Sequence, residues 1–154
     1  MTYQDWLNDR QGELNRLPIF FAYTTEQMNR ALADRHTNYD DVVHIGNQTY
    51  CLKKDLQTVM KFVNRHKQLD DLMKDYQFAK DAIYLELGNH EYEINNQGNW
   101  DVLNCFAHEE LPFYDDDYED SKALKLYFEK LNWVPTTKQA FYDARAQYLR
   151  ERYA

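Results

Sequence analysis

At 154 residues, 44% of them hydrophobic and 16% aromatic, the chain has the length of one domain and too many aromatic side chains for a disordered segment. A formal net charge of −8 opposes nucleic-acid phosphates and argues against direct DNA or RNA binding. No apolar run approaches the roughly 18 residues of a membrane span, and the N-terminus lacks a signal peptide's basic start and apolar centre, so a cytoplasmic protein is expected.

Thr2 and Asp5 are spaced as a capping box, with Asp in place of the usual Glu, and Tyr3, Trp6, Leu7 and Leu14 share one face of the helix they open. Pro18 ends that helix, because it donates no backbone hydrogen bond and restricts the residue before it. "IFFAYT" (19–24) reads as a buried strand, and Thr24 or Thr25 caps a helix over about 26–36. "DVVHIGNQTYCLKK" (41–54) reads as a β-hairpin whose Gly46-Asn47 turn takes its positive φ from the glycine. Asp55 then caps a helix with Leu56, Val59, Met60 and Val63 facing inward.

After a break near 68–76, a further helix buries Phe78, Ala82, Ile83 and Leu85 and ends near Gly88, the residue favoured at a helix C-terminus. "NNQGN" reads as a turn, 100–106 as a short helix, and "LPFYDDDYEDS" as a loop leading into the next helix. Two closing helices, about 119–132 and 136–153, are separated by "NWVP". They turn Leu124, Tyr127, Phe128 and Leu131, then Phe141, Ala144 and Tyr148, inward. With no internal repeat and no Gly/Ser linker, the expected fold is a mostly helical α+β single domain over 1–154. A small antiparallel sheet (about 19–24, 41–46 and 48–53) is packed by five or six helices. Cys51 and Cys105 form no CxxC pair and are expected as small buried side chains.

Charge is unevenly distributed. Residues 1–80 carry 11 Lys/Arg against 11 Asp/Glu, residues 81–120 carry 12 Asp/Glu and no Lys or Arg, and residues 121–154 carry 7 Lys/Arg against 3 Asp/Glu. The middle segment therefore attracts cations or basic protein surfaces.

That segment contains "YLELGNHEYEIN" (84–95), whose Gly-Asn-His-Glu resembles one signature block of the calcineurin-like metallophosphoesterases. Two metals need the ligands of several such blocks. Asp34-Arg35-His36 imitates the first but sits inside an expected helix, and no Gly-Asp pair or later Gly-His exists. The hydrolase reading fails. Glu86 and His90, four apart, share one helical face, and with Asn89, Glu91 and the hairpin's His44 they form a possible polar cluster. A histidine hydrogen-bonded to a carboxylate at a helix end is the expected role, with no metal and no cofactor; a metal site on Glu86 and His90 is the alternative.

"LPIFFAYTTEQ" (17–27), "HIGNQTYCLKKDL" (44–56), "NRHKQLDDLMKD" (64–75) and "AIYLELGNHEY" (82–92) together resemble a family of small, uncharacterised acidic proteins from phages and mobile elements of Gram-positive bacteria. The resemblance covers about residues 10–92, leaving the acidic loop and last two helices (93–154) outside it. It implies a bacterial host cytoplasm and no settled activity. The expectation that follows is a non-enzymatic binding protein, a phage-encoded inhibitor of a host defence system of the anti-CRISPR kind. Asp115, Asp116, Asp117, Glu119 and Asp120, interleaved with Tyr114 and Tyr118, would dock on a basic nucleic-acid-binding site of the partner protein. A structural alternative is a homodimer in which Lys53, Lys54, Lys61 and Arg65 meet the acidic segment of a second copy.

Overall fold

A computed structural model describes all of residues 1–154. The fold is mostly helical α+β with one small antiparallel sheet, as expected. It comprises two compact units, one of residues 7–65 and a larger one of residues 1–6 with 66–154. No helix is long and apolar enough to cross a membrane.

In the smaller unit, β1 (Ile19–Phe21), β2 (Val42–Gly46) and β3 (Thr49–Leu52) form an antiparallel sheet in the order β1-β3-β2. Phe20 pairs with Tyr50, and His44 pairs with Tyr50 from the other side. The sheet lies against α2 (Thr25–Asp34), and Phe20, Ala22, Met28, Leu32 and Leu52 make the core between them. Thr24 caps α2, its hydroxyl accepting from the Gln27 amide at 3.1 Å.

Two expectations change here. β1 is a short edge strand and not a buried one: Phe20 and Ala22 face inward while Phe21, between them, is 57% exposed. The positive φ of the hairpin turn belongs to Gln48 (48°), and no glycine in the chain has one.

Following a 3-10 turn at Lys53–Asp55, α3 (Leu56–Asn64) completes this unit. Because Asp55 already has helical dihedrals, its carboxylate makes no capping bond. Val59 is buried, but Met60 and Val63 are exposed. Phe62 faces inward instead, beneath the Arg10 guanidinium of α1 (Tyr3–Arg16), which lies 3.7 Å from the ring centroid and donates to the Phe62 carbonyl. Arg65 pairs with Glu13 of α1. On α1 itself the Thr2–Asp5 capping box forms as expected, at 3.0 and 3.1 Å, with Tyr3 and Trp6 buried and Leu14 exposed.

The larger unit is built on α5 (Tyr76–Asn89) and α8 (Pro135–Arg152). Asp75 caps α5 by accepting from the Phe78 amide at 2.8 Å, so the expected break narrows to residues 73–75 after α4 (His66–Leu72). Tyr76 donates to Asp143 and Tyr84 to Glu151. Each pair is 67 residues apart, so the two helices run parallel and in step. Ala79 and Ala82 on one, Ala140 and Ala144 on the other, are fully buried, and such small side chains let helix axes approach closely. Leu85 is only half-buried, and Glu86 takes the inward place.

α6 (Asn96–Leu103) occupies what the sequence suggested was a turn, followed by a 3-10 turn at Asn104–Phe106. Asn95 caps it, accepting from the Gly98 amide at 2.7 Å. α7 (Asp120–Leu131) ends at Asn132, whose φ of 54° lets the Trp133 amide reach the Phe128 carbonyl at 3.1 Å; Pro135 opens α8.

Candidate functional site: a Glu–His–Cys cluster on a buried carboxylate and an anchored acidic loop

The Gly-Asn-His-Glu stretch closes α5 as a Schellman motif. The Tyr92 amide bonds to the Leu87 carbonyl at 3.0 Å and the Glu91 amide to the Gly88 carbonyl at 3.2 Å. The left-handed residue is Glu91 (φ 48°), three positions beyond the glycine expected to end the helix. A side chain in that region costs about 1–2 kcal/mol, part of it offset by the extra chain entropy a glycine would lose. Glu91→Gly is therefore expected to stabilise the protein by roughly 0.5–1 kcal/mol, read as a higher urea midpoint with unchanged slope.

Just inside this cap lies the one buried carboxylate of the chain, Glu86, 6% exposed. Its two oxygens have separate partners. Oε1 accepts from the Tyr3 hydroxyl at 3.1 Å and from Asn89 Nδ2 at 3.4 Å. Oε2 lies 3.1 Å from Cys105 Sγ and 3.4 Å from His90 Nε2, and those two atoms are 3.3 Å apart. Three donor atoms of different chemistry thus make a nearly equilateral triangle. Helical spacing brings Glu86 and His90 together, as expected; the 3-10 turn after α6 delivers Cys105, expected as a small buried side chain and found here only partly buried. Glu91 contributes backbone geometry and stays exposed. His44 belongs to the smaller unit, where its ring stacks on Tyr50 at 4.9 Å.

The cluster is unsuited to nucleophilic catalysis by cysteine. A reactive thiol needs a cationic setting that favours the thiolate. Here burial and the adjoining Glu86 carboxylate push the Cys105 thiol up, and burial with the same carboxylate pushes up the Tyr3 phenol. Nor does Glu86 orient the imidazole from its far side, as a triad requires, since it meets the same Nε2 that faces the thiol.

The acidic loop is ordered by buried amides. Asn96 Nδ2 donates to the carbonyls of Asp115 (2.6 Å) and Tyr118 (2.8 Å), pinning both ends of the Asp-rich turn. Asn99 accepts from the Tyr92 hydroxyl at 2.5 Å and donates to Asp120 at 2.6 Å. Upstream, the Trp100 indole donates to the Leu111 carbonyl and the Leu111 amide to Asn104, both at 2.8 Å. Tyr114 and Tyr118 stack at 4.7 Å, and Tyr114 rests on Tyr127 at 5.5 Å. Sequence reasoning missed Asn96 and Asn99, which looked like turn residues.

The five carboxylates expected to act together divide. Asp116 and Asp117 are exposed, and Asp115, also exposed, accepts from the Asp117 amide at 3.1 Å. Glu119 is held below its usual range by hydrogen bonds from Ser121 and Lys122, the latter at 3.3 Å. Asp120 is committed to Asn99. Of the cations assigned to a second copy, Arg65 is engaged by Glu13 within its own unit.

His66, Asp70 and His108 form a second group of neighbouring donor atoms, of which Asp70 and His108 line a groove of about 840 Å³ between α4 and the 106–112 and 130–137 segments. His108 and Asp70 form a direct pair at 2.6 Å.

These features define a mostly helical α+β protein whose polar centre is a buried carboxylate joined to a histidine and a thiol. Residues 2–130 match the model of a family of unknown function (DUF7659), and the chain belongs to that family. The matched region runs well past residue 92, where the sequence resemblance stopped, and takes in the acidic loop and nearly all of α7. Neither a curated protein nor a solved structure matches the chain.

Proposed function

We propose that the protein is a non-enzymatic binding protein that presents the loop around Asp115, Asp116 and Asp117, with Tyr118 beside them, to a basic surface of a partner protein. The single observation that supports this most is the fork of Asn96 on the Asp115 and Tyr118 carbonyls. A solvated charge run that only aids solubility has no need of a buried anchor, whereas a docking surface gains affinity when its geometry is fixed before binding. Tyr118, 38% exposed and stacked on Tyr114, adds rigid contact area to the charge. Lys122 sits at the helix side of the loop against Glu119, which leaves the aspartates as the face offered. A groove evolved to hold nucleic-acid phosphates is the partner chemistry such a face fits, and in a phage or mobile-element setting the protein would act as an inhibitor of a host nucleic-acid-handling defence effector.

The test compares two triple variants of equal charge change in capture from a Gram-positive host lysate. Asp115→Asn/Asp116→Asn/Asp117→Asn is expected to lose a basic, nucleic-acid-handling protein that the wild type captures and that added DNA displaces. Asp70→Asn/Asp71→Asn/Asp81→Asn is expected to retain it. Equal capture by the loop variant overturns the reading.

A further inference from the structure

We propose that Glu86, His90 and Cys105 form a three-ligand site for a divalent metal ion of the zinc type, with the fourth position open to solvent. The site is independent of the acidic-loop reading.

In a tetrahedral zinc site, bonds of about 2.0–2.1 Å to nitrogen and oxygen and about 2.3 Å to sulfur place neighbouring donor atoms roughly 3.3–3.6 Å apart. The three edges of the triangle here are 3.1, 3.3 and 3.4 Å. An ion at its centre requires the donors to open by a few tenths of an ångström, within reach of rotations about the side-chain bonds. The donor set fits the same ion. One thiol, one imidazole and one carboxylate suit zinc and its borderline neighbours, while calcium and magnesium favour oxygen alone.

The surroundings support the site as well. Glu86 turns only Oε2 toward the triangle, and Oε1 is fixed by Tyr3 and Asn89. Ligating carboxylates are commonly oriented through their other oxygen in this way. The site is also accessible. His90 and Cys105 line a shallow pocket of about 460 Å³ rimmed by Asp101 and Glu110, so an ion can enter and a water can complete its shell. The His66, Asp70 and His108 group is a weaker candidate, because His108 and Asp70 already satisfy each other on the surface at about half exposure.

Binding converts the thiol to a thiolate: the S–H bond breaks, an S–metal bond forms, and the proton leaves to solvent. The neutral, partly buried thiol beside a carboxylate becomes a charge-compensated centre. Cobalt(II) is the probe, because a thiolate ligand gives a charge-transfer band that carboxylate or imidazole does not. Reduced full-length protein is expected to bind one Co²⁺, with that band present, and to release it to Zn²⁺. Cys51→Ser and His108→Ala should leave the titration unchanged. Cys105→Ser should abolish the band, His90→Gln should weaken binding at least tenfold, and Tyr3→Phe should weaken it roughly 10–100-fold through the lost support of Oε1. Thermal melts in each case separate loss of ligand from loss of fold: Zn²⁺ should raise the wild-type midpoint but not that of His90→Gln, whose half-exposed site tolerates the change. A wild type without the band, a band that persists in Cys105→Ser, or binding lost in His108→Ala overturns the proposal.

Discussion

Gly98→Ala is expected to destabilise the protein by about 3 kcal/mol, at the upper end of the overpacking range, and to lower its melting midpoint by roughly 6–12 °C. A Cβ at this position would lie 2.2 Å from the Glu93 carbonyl oxygen and 3.2 Å from its carbon, both backbone atoms, with Asn95 Oδ1 at 3.3 Å. No rotamer change relieves a clash with the main chain. The first turn of α6 must move away, and the cap that Asn95 places on the Gly98 amide goes with it. Gly88→Ala is the internal control. It sits in the last turn of α5 with nothing within 4 Å of the added carbon, so the better helix propensity of alanine should leave the protein equally stable or up to about 1 kcal/mol more so. Circular-dichroism melts of the two variants settle the comparison. A Gly98→Ala midpoint equal to that of the wild type would show that the approach of Glu93 to α6 is not as tight as described.

Asn96→Ala is expected to lose roughly 1–3 kcal/mol, because two loop carbonyls lose their donor at once and each such hydrogen bond is worth about 0.5–1.5 kcal/mol net. Asn96 is 2% exposed, so water replaces its amide poorly. The effect should be local as well as global. Hydrogen exchange of the backbone amides over 115–118 should accelerate well beyond the change in overall stability, since the loop loses the contacts that hold both its ends. Urea unfolding with hydrogen exchange read by mass spectrometry measures both. If exchange in the loop is unaltered, Asn96 does not order it. In that event the rigid docking face loses its chief support, whatever the aspartates bind.

How far the sequence disclosed all this depends on the range of the interactions involved. Local rules worked: the Thr2–Asp5 box, the Thr24 cap, the hairpin and the Glu86–His90 spacing each need only a few neighbouring residues. They failed where two local rules compete. Gly46 and Gly88 looked like the left-handed positions, yet Gln48 and Glu91 hold them, because strand register and the Schellman closure fixed the place before the residue type was weighed. Asn95, Asn96, Gly98 and Asn99 carry the composition of a turn, and only the tertiary structure shows that they cap and anchor a helix. Met60 and Val63 fit an inward stripe that the nine-residue α3 does not bury. Cys105 is 19 residues from Glu86, and Tyr3 is 83 residues from it, so no spacing rule unites the cluster.

The parallel pairing of α5 with α8 carries a consequence for the order in which the chain matures on the ribosome. Residues 7–65 hold every strand of the sheet together with the helices that flank it, so that region has all its partners at hand early in synthesis. The larger region does not. Tyr76 and Tyr84 wait 67 residues for Asp143 and Glu151, and the alanine face of α5 stays uncovered until α8 has been made. Chains arrested before α8 has emerged are therefore the species in which this alanine face is left open to aggregation.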